Sequence, residues 1–238
     1  MFKPNVGLIG IGKWGNILRE KLKKHSNLIF TANSKTNYKK RIKQVDWIFV
    51  ATPDKTHFKI IKELLNYNKN IFCEKPLTLS YKQSKELYKL AKTKKVKLYV
   101  DDIQTFYQKK IILKKDNFIE RKKKGIGDPK NLLYRFAYHD FYFLENKLKS
   151  KIKSIIIKDV KKNLQFQINY YNNLSFNFDY SLNSEKKVHR INNTNFITKR
   201  DLLSCMIYKV LKNKVNFEKN MRISLFSNRL IDKITKKF

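Results

Sequence analysis

The residues with the clearest chemical meaning in this sequence are Gly10, Gly12 and Gly15, set as Gly10-Ile11-Gly12-Lys13-Trp14-Gly15 directly after a short apolar run. A G-x-G-x-x-G spacing at a strand-to-helix turn suits one task, holding the pyrophosphate of a dinucleotide. Gly10 permits the tight turn, Gly12 lets the phosphates approach the backbone, and Gly15 lets the helix lie close on the strand. Ile11, Lys13 and Trp14 complete the cradle, and the helix beginning there offers free N–H groups and its positive dipole end. Units of this kind place an acidic residue about 20 positions further on, to accept from the ribose 2′-hydroxyl of NAD. Here that region reads Ala32-Asn33-Ser34-Lys35-Thr36, with no acid. Either Ser34 and Lys35 bind a 2′-phosphate, which leans the choice from NAD towards NADP, or the loop is a solvated turn that touches nothing.

The surrounding elements must place that turn. Trp14, Ile17, Leu18 and Leu22 recur on one helical face after the turn, and Leu28 to Thr31 reads as a second strand. Asp46 to Ala51 is a buried-type strand, stopped by Pro53, which has no N–H to donate. A helix follows with Phe58, Ile61 and Leu65 on one face, then a strand at Ile71-Phe72-Cys73. Ser80 and Gln83 have the spacing of a capping box, opening a helix that carries Ser84, Leu87, Tyr88 and Ala91. Lys97 to Val100 is a fifth strand, ending in Asp101-Asp102. Strands alternating with helices imply a parallel sheet with right-handed crossovers. Thr52-Pro53-Asp54-Lys55-Thr56-His57 and Glu74-Lys75-Pro76-Leu77 then fall at its carboxyl edge, where open α/β sheets bind ligands.

The composition shifts after Phe106. Residues 109–124 are heavily basic, and Gly125 to Pro129 carries turn signals. The reading is a dinucleotide-binding Rossmann domain over 1–120 and a second domain over 121–238. Leu132 to Asn146 reads as a helix. Leu164, Phe166, Ile168 and Tyr170 then alternate with polar residues, as do Leu174, Phe176, Phe178, Tyr180 and Leu182, with Asn172-Asn173 as the hairpin turn. Ile155 to Val160 and Val188 to Ile191 flank them as strands, and two amphipathic helices close the chain. The expected fold class is α/β, an N-terminal Rossmann parallel sheet with a C-terminal α+β domain built on an antiparallel sheet.

Composition narrows the function. The chain has 238 residues, of which 42% are hydrophobic, enough for a real core. Its two cysteines, Cys73 and Cys205, lack metal spacing and point to a reducing, cytoplasmic setting without disulfides or a metal. No run approaches a membrane span, and the glycines of residues 1–15 break any signal-peptide core. The net charge of +35 could serve a polyanion, but the lysines spread over every element and no nucleic-acid-binding motif accompanies them. The charge favours anionic ligands and non-specific adhesion to nucleic acid at low salt, with neither nucleic acid nor membrane as a specific partner.

The fingerprint at 10–15, Ala51-Thr52-Pro53 followed by His57, and Glu74-Lys75-Pro76-Leu77 together resemble the glucose–fructose oxidoreductase/inositol dehydrogenase (Gfo/Idh/MocA) family. The first domain resembles it over nearly its whole length and the second more loosely, in element order. The resemblance implies an NAD(P)-dependent oxidoreductase acting on sugars, polyols or sugar nucleotides. It implies that Thr52, Pro53 and His57 line the cofactor cleft, with Glu74, Lys75 and Pro76 beside the nicotinamide. Lys75 matches the family's catalytic-motif lysine, which orients substrate and cofactor; a lysine in a desolvated cleft can lose its proton more readily and bond a substrate hydroxyl. His139 matches the histidine that exchanges the hydroxyl proton. Many members carry an aspartate four residues before it; here Arg135 stands there and is a candidate for binding an anionic substrate. Asp140, Asp101 and Asp102 remain as relay partners. The second domain is shorter than in most relatives, chiefly between Tyr107 and Leu132. The resemblance leaves room for a homo-oligomer through the antiparallel sheet. It also leaves room for a degenerate member that binds dinucleotide as a sensor or structural subunit.

Overall fold

The computed structural model describes residues 3–107, 111–128, 131–147 and 150–238. By contact density the chain divides into two units, one made of Met1–Phe106 with Asp201–Asn228, the other of Tyr107–Arg200 with Arg229–Phe238.

The first unit follows the apolar runs. Strands β1 (Asn5–Ile9), β2 (Asn27–Ala32), β3 (Trp47–Val50), β4 (Asn70–Cys73) and β5 (Leu98–Val100) form a sheet of order β2-β1-β3-β4-β5. Every pairing in it is parallel. β3 is buried along its whole length, as a strand covered on both faces must be. Helix α1 (Lys13–His25) joins β1 to β2, α2 (Asp54–Leu65) joins β3 to β4, and α3 (Tyr81–Thr93) joins β4 to β5. Val6, Leu8 and Phe49 meet Leu18 and Leu22 of α1 on one face. The rings of Phe49 and Phe72 stack there with centroids 4.5 Å apart.

The expected capping box at the start of α3 does not form. Ser80 stands at the cap position without a side-chain bond to the helix. The Thr78 hydroxyl takes over this corner, accepting from the Ser80 N–H at 3.2 Å and meeting the Ser84 hydroxyl at 2.9 Å.

One part of the first sheet's cover comes from far along the chain. Helix α5 (Leu202–Leu211), expected with the second domain, places Leu203, Met206, Ile207 and Val210 in the same core cluster as α1. Helix α6 (Phe217–Thr235) follows it. Asn220 on α6 closes the outer edge of the sheet. Its Oδ1 accepts from the Val100 N–H at 2.9 Å, and its Nδ2 donates to the Val100 carbonyl at 2.8 Å.

The second unit is built on a six-stranded sheet. In chain order its strands are β6 (Asp116–Lys124), β7 (Ile152–Asp159), β8 (Leu164–Tyr170), β9 (Ser175–Ser181), β10 (Asn183–Ile191) and β11 (Thr194–Asn195). Their order in space is β11-β10-β6-β9-β8-β7. Two expectations are corrected here. Most of the basic stretch beside the expected domain boundary is β6, an interior strand of the sheet; residues 109 and 110 of that stretch, and Pro129 of the expected turn, lie outside the described residues. The sheet is also mixed, because β6 runs parallel to β9 while its other pairings are antiparallel. The β8–β9 hairpin is as expected, with Asn173 at φ 62° in its turn. A π-helical turn (Leu133–Ala137) leads into α4 (Tyr138–Lys147). Phe141 of α4 meets Phe166 and Phe178 of the sheet edge to face, at centroid distances of 6.4 and 5.8 Å. Among the described residues, no helix is long and apolar enough to cross a membrane, and no cluster of His, Cys, Asp and Glu could hold a metal ion.

Candidate cofactor-binding site

In a 2-1-3-4-5 sheet the connections leave in opposite directions after β1 and β3, which opens a crevice at their carboxyl ends. A cavity of about 810 Å³ lies there. Its walls are the turn from Ile9 to Trp14, the segment holding Asn33, Ser34, Thr36 and Tyr38, and Ala51, Thr52 and Pro53 with Thr56 and Ile60 behind them. The size is that of a site for a ligand of a few hundred daltons or more.

The turn is shaped as the glycine spacing demands. Gly10 has φ 99°, a left-handed conformation, and donates its N–H to the Ala32 carbonyl at 2.8 Å. A Cβ on Gly15 would lie 1.9 Å from the Gly10 carbonyl oxygen, so only glycine allows α1 this close to the strand. A Cβ on Gly12 would meet nothing within 4 Å. The backbone at Gly12 therefore faces open space at the start of α1, whose first turn holds no acidic residue. Free N–H groups without a competing carboxylate suit a phosphate.

The β2 end is a compact polar turn. The Asn33 Oδ1 accepts from the Lys35 N–H at 2.9 Å and from the Thr36 hydroxyl at 2.9 Å. Ser34 lines the cavity wall; Lys35 is exposed and does not. At the β3 end, the Thr56 hydroxyl sits 2.6 Å from the Pro53 carbonyl and 2.8 Å from the Thr52 hydroxyl.

His57 does not line the cavity. It is 1% exposed, with Nε2 2.8 Å from the Thr52 carbonyl and Nδ1 2.8 Å from the Pro76 carbonyl. It thus ties the turn after β3 to the turn after β4, holding the wall rather than forming it. Cys73 is buried beside it, its thiol donating to the Glu74 carbonyl at 2.9 Å. Burial pushes that thiol's pKa well up.

Glu74 and Lys75 follow β4 directly. Lys75 is half-buried and Glu74 is buried. The Trp14 indole N–H donates to Glu74 Oε1, a link across 60 residues that no local pattern announces. Asp101, buried at the end of β5, accepts from the Ile103 N–H at 2.8 Å. Asp102 accepts from the Tyr99 hydroxyl. Burial raises the Asp102 pKa to about 6, against the lowering effect of the Tyr99 bond.

In the second unit His139 is half-buried on α4, and Arg135 is exposed on the turn before it. Asp140, beside His139, points into the sheet and is fully buried. Arg121 of β6 grips it through Nε at 2.8 and 3.0 Å and Nη2 at 2.7 Å, Tyr180 donates to it at 2.8 Å, and His189 Nε2 lies 3.3 Å away. Burial alone would raise the Asp140 pKa, but the Arg121 charge and the His189 bond outweigh it and hold it below the usual carboxylate value. Asp140 is thus committed to the core and is corrected as a relay partner for His139. Asp101 and Asp102 are likewise engaged within the first unit.

This sheet order, with a cavity at its switch point, is that of a Rossmann fold. The profile of an oxidoreductase family with an NAD-binding Rossmann fold, Gfo/Idh/MocA, matches residues 17–102, a stretch that includes the turns at 52–57 and 74–77. An uncharacterized oxidoreductase of Schizosaccharomyces pombe is 39% identical over 56 residues, 24% of this chain and only 15% of that protein's length. The UDP-N-acetylglucosamine 3-dehydrogenase GnnA from Acidithiobacillus ferrooxidans superimposes with a TM-score of 0.84 at 15% identity, over 98% of this chain and 97% of its own. GenD2 from gentamicin A biosynthesis, in complex with NAD, does so with a TM-score of 0.75 at 12% identity, over 98% and 93%. Residues 17–102 thus match the Gfo/Idh/MocA oxidoreductase family, and the chain as a whole shares its fold with solved dehydrogenases such as GnnA.

Proposed function

We propose that the protein is an NAD(P)-dependent oxidoreductase transferring a hydride between the nicotinamide and a carbinol or carbonyl carbon of a sugar, polyol or sugar nucleotide. The observation that carries this reading is the 810 Å³ cavity at the β1/β3 switch point, floored by a glycine turn that leaves the Gly12 backbone open. The bound nicotinamide supplies the redox chemistry, and the chain supplies binding, orientation and proton handling. The N–H groups from Gly12 to Gly15 hold the pyrophosphate, and Thr52 and Pro53 flank the dinucleotide on the β3 side. Ser34 stands at the ribose end with no carboxylate beside it, which favours NADP over NAD; Lys35 adds charge from the solvent side. Lys75 bonds the substrate hydroxyl, and His139 exchanges its proton. Arg135 and the net charge of +35 favour an anionic substrate, which a sugar nucleotide is. The naming of GnnA as a UDP-N-acetylglucosamine 3-dehydrogenase supports that class.

The experiment is titration of purified protein with NADPH and NADH, followed by a screen of polyols, sugars and sugar nucleotides. Lys75→Met and His139→Ala are expected to bind cofactor and lose turnover by about 10²–10⁴-fold. Full activity in either variant would remove that residue from the mechanism. Arg135 in place of the usual aspartate, with Asp140 locked in the core, favours a second reading, a dinucleotide-binding sensor or structural subunit. NADPH binding without turnover on any member of the screen would select it.

A further inference from the structure

Beside the cavity, two carboxyl groups are buried together at the ends of β4 and β5. Glu74 is 8% and Asp101 2% exposed, and their side chains are hydrogen-bonded to one another. Two carboxylates offer only acceptors, so a bond between them requires a proton on one. The remaining partners fit a protonated Glu74. Its Oε1 accepts from the Trp14 indole, leaving its hydroxyl to donate to Asp101, whose Oδ1 already accepts from Ile103. Trp14 stands in the first turn of α1 and lines the cavity.

We propose that Glu74 and Asp101 hold one proton between them and that this pair positions Trp14, fixing the glycine turn for its dinucleotide. The inference rests on the cofactor reading for the identity of the ligand, while the pair and its grip on Trp14 belong to the protein alone. Loss of the proton converts the bond into repulsion between two like charges out of reach of water. Glu74 then leaves Asp101, and the indole loses its fixed acceptor. The groups facing the pair are consistent with a retained proton. Burial first, then the Asp101 charge, push the Glu74 pKa well up, against the Trp14 bond and the Lys75 charge. Burial raises Asp101 as well, against the Ile103 N–H bond and Lys75. The other titratable neighbours are committed elsewhere: Cys73 donates to a backbone carbonyl, His57 bridges two carbonyls, and Asp102 takes the Tyr99 hydroxyl.

Trp14 and Trp47 are the two tryptophans of the chain, so Trp47→Phe leaves Trp14 as the sole indole reporter. In that background, Trp14 emission is followed from pH 5 to pH 10 without cofactor, and NADPH affinity is measured at each end. The expected result is a single emission step above the ordinary carboxylate range, with NADPH affinity falling at least threefold across it. Glu74→Gln keeps an acceptor for Trp14 and a donor for Asp101 but cannot ionise; it is expected to remove the step and flatten the affinity profile. Glu74→Ala is expected to show the high-pH emission at every pH. Asp101→Asn, a second variant, removes the like charge but leaves Glu74 ionisable, and should move the step to lower pH. A step that persists in Glu74→Gln, or a wild-type emission that is flat over the range, overturns the pair. If the step behaves as expected but neither NADPH nor NADH binds at any pH, the pair stands and the cofactor reading falls.

Discussion

Each unit buries carboxyl groups, and it treats them in opposite ways. In the second unit Asp140 is surrounded by Arg121, Tyr180 and His189 and stays ionised more readily than in water. In the first unit Glu74, Asp101 and Asp102 face neutral donors and one another, burial outweighs the nearby Lys75 charge at Glu74 and Asp101, and all hold their protons more tightly than in water. Burial is nearly the same in both places; the partner decides the charge. A carboxylate matched by a guanidinium is a fixed part of the core. A carboxyl pair whose burial outweighs the lysine charge beside it, placed at the ligand edge of a parallel sheet, retains protonation chemistry where a ligand can exploit it.

The largest expected effect breaks the matched site. Arg121→Met leaves Asp140 buried without its cation and should cost about 3–5 kcal/mol, read by urea unfolding of the second unit. A loss under about 1 kcal/mol would mean that water or His189 replaces the guanidinium. Next, Gly12→Val puts a branched side chain where the backbone faces open space. NADPH affinity should fall at least tenfold, about 1.4 kcal/mol, with the unfolding midpoint unchanged. Equal affinity in the folded variant would remove the glycine turn from phosphate binding.

The two sites should also answer pH with opposite signs. The native first unit retains a proton on Asp102 up to about pH 6, whereas an unfolded chain releases it near the ordinary value of 3.8. Native protein therefore binds more protons in that window, and the contribution of Asp102 to stability declines as pH rises through it. Asp140 has the reverse sign: its contribution is complete above the ordinary carboxylate range and is lost as pH falls below it. Hydrogen exchange of β5 amides between pH 4 and pH 7, and of β9 amides from pH 4 downwards, separates the two, and a β9 protection that does not fall on acidification would contradict the contrast. The smallest effect is expected from Lys35→Ala. An exposed lysine outside the cavity wall should change the NADP/NAD affinity ratio by only a few-fold; Ser34→Ala, at the wall, should change it more.

The first sheet was readable because its strands are short apolar runs ended by glycine, proline or polar turn residues, and each helix shows one apolar face. Strand β6 was hidden because its inward positions are Asn117, Ile119 and Arg121, and the acid that makes Arg121 an inside residue lies on another element. The return of α5 to the first sheet was equally illegible, since an amphipathic helix shows that it packs but not on which unit. At the site, the glycine turn could be placed from its spacing, and the residues at 52–53 from their position after β3 and the family resemblance. The roles of His57 and Glu74 could not, because both depend on bonds to elements distant in sequence.

Asn220 gives the parallel sheet a partner along the β5 edge at Val100, and it is made 120 residues after that strand. During synthesis the strand leaves the ribosome with its outer N–H and C=O groups unanswered, and at about 5–20 residues per second that exposure lasts several seconds or more. An open edge is a template for another strand. The helix that closes it therefore works as a late-arriving guard, and a nascent chain stalled before Asn220 would be the form most prone to associate edge to edge.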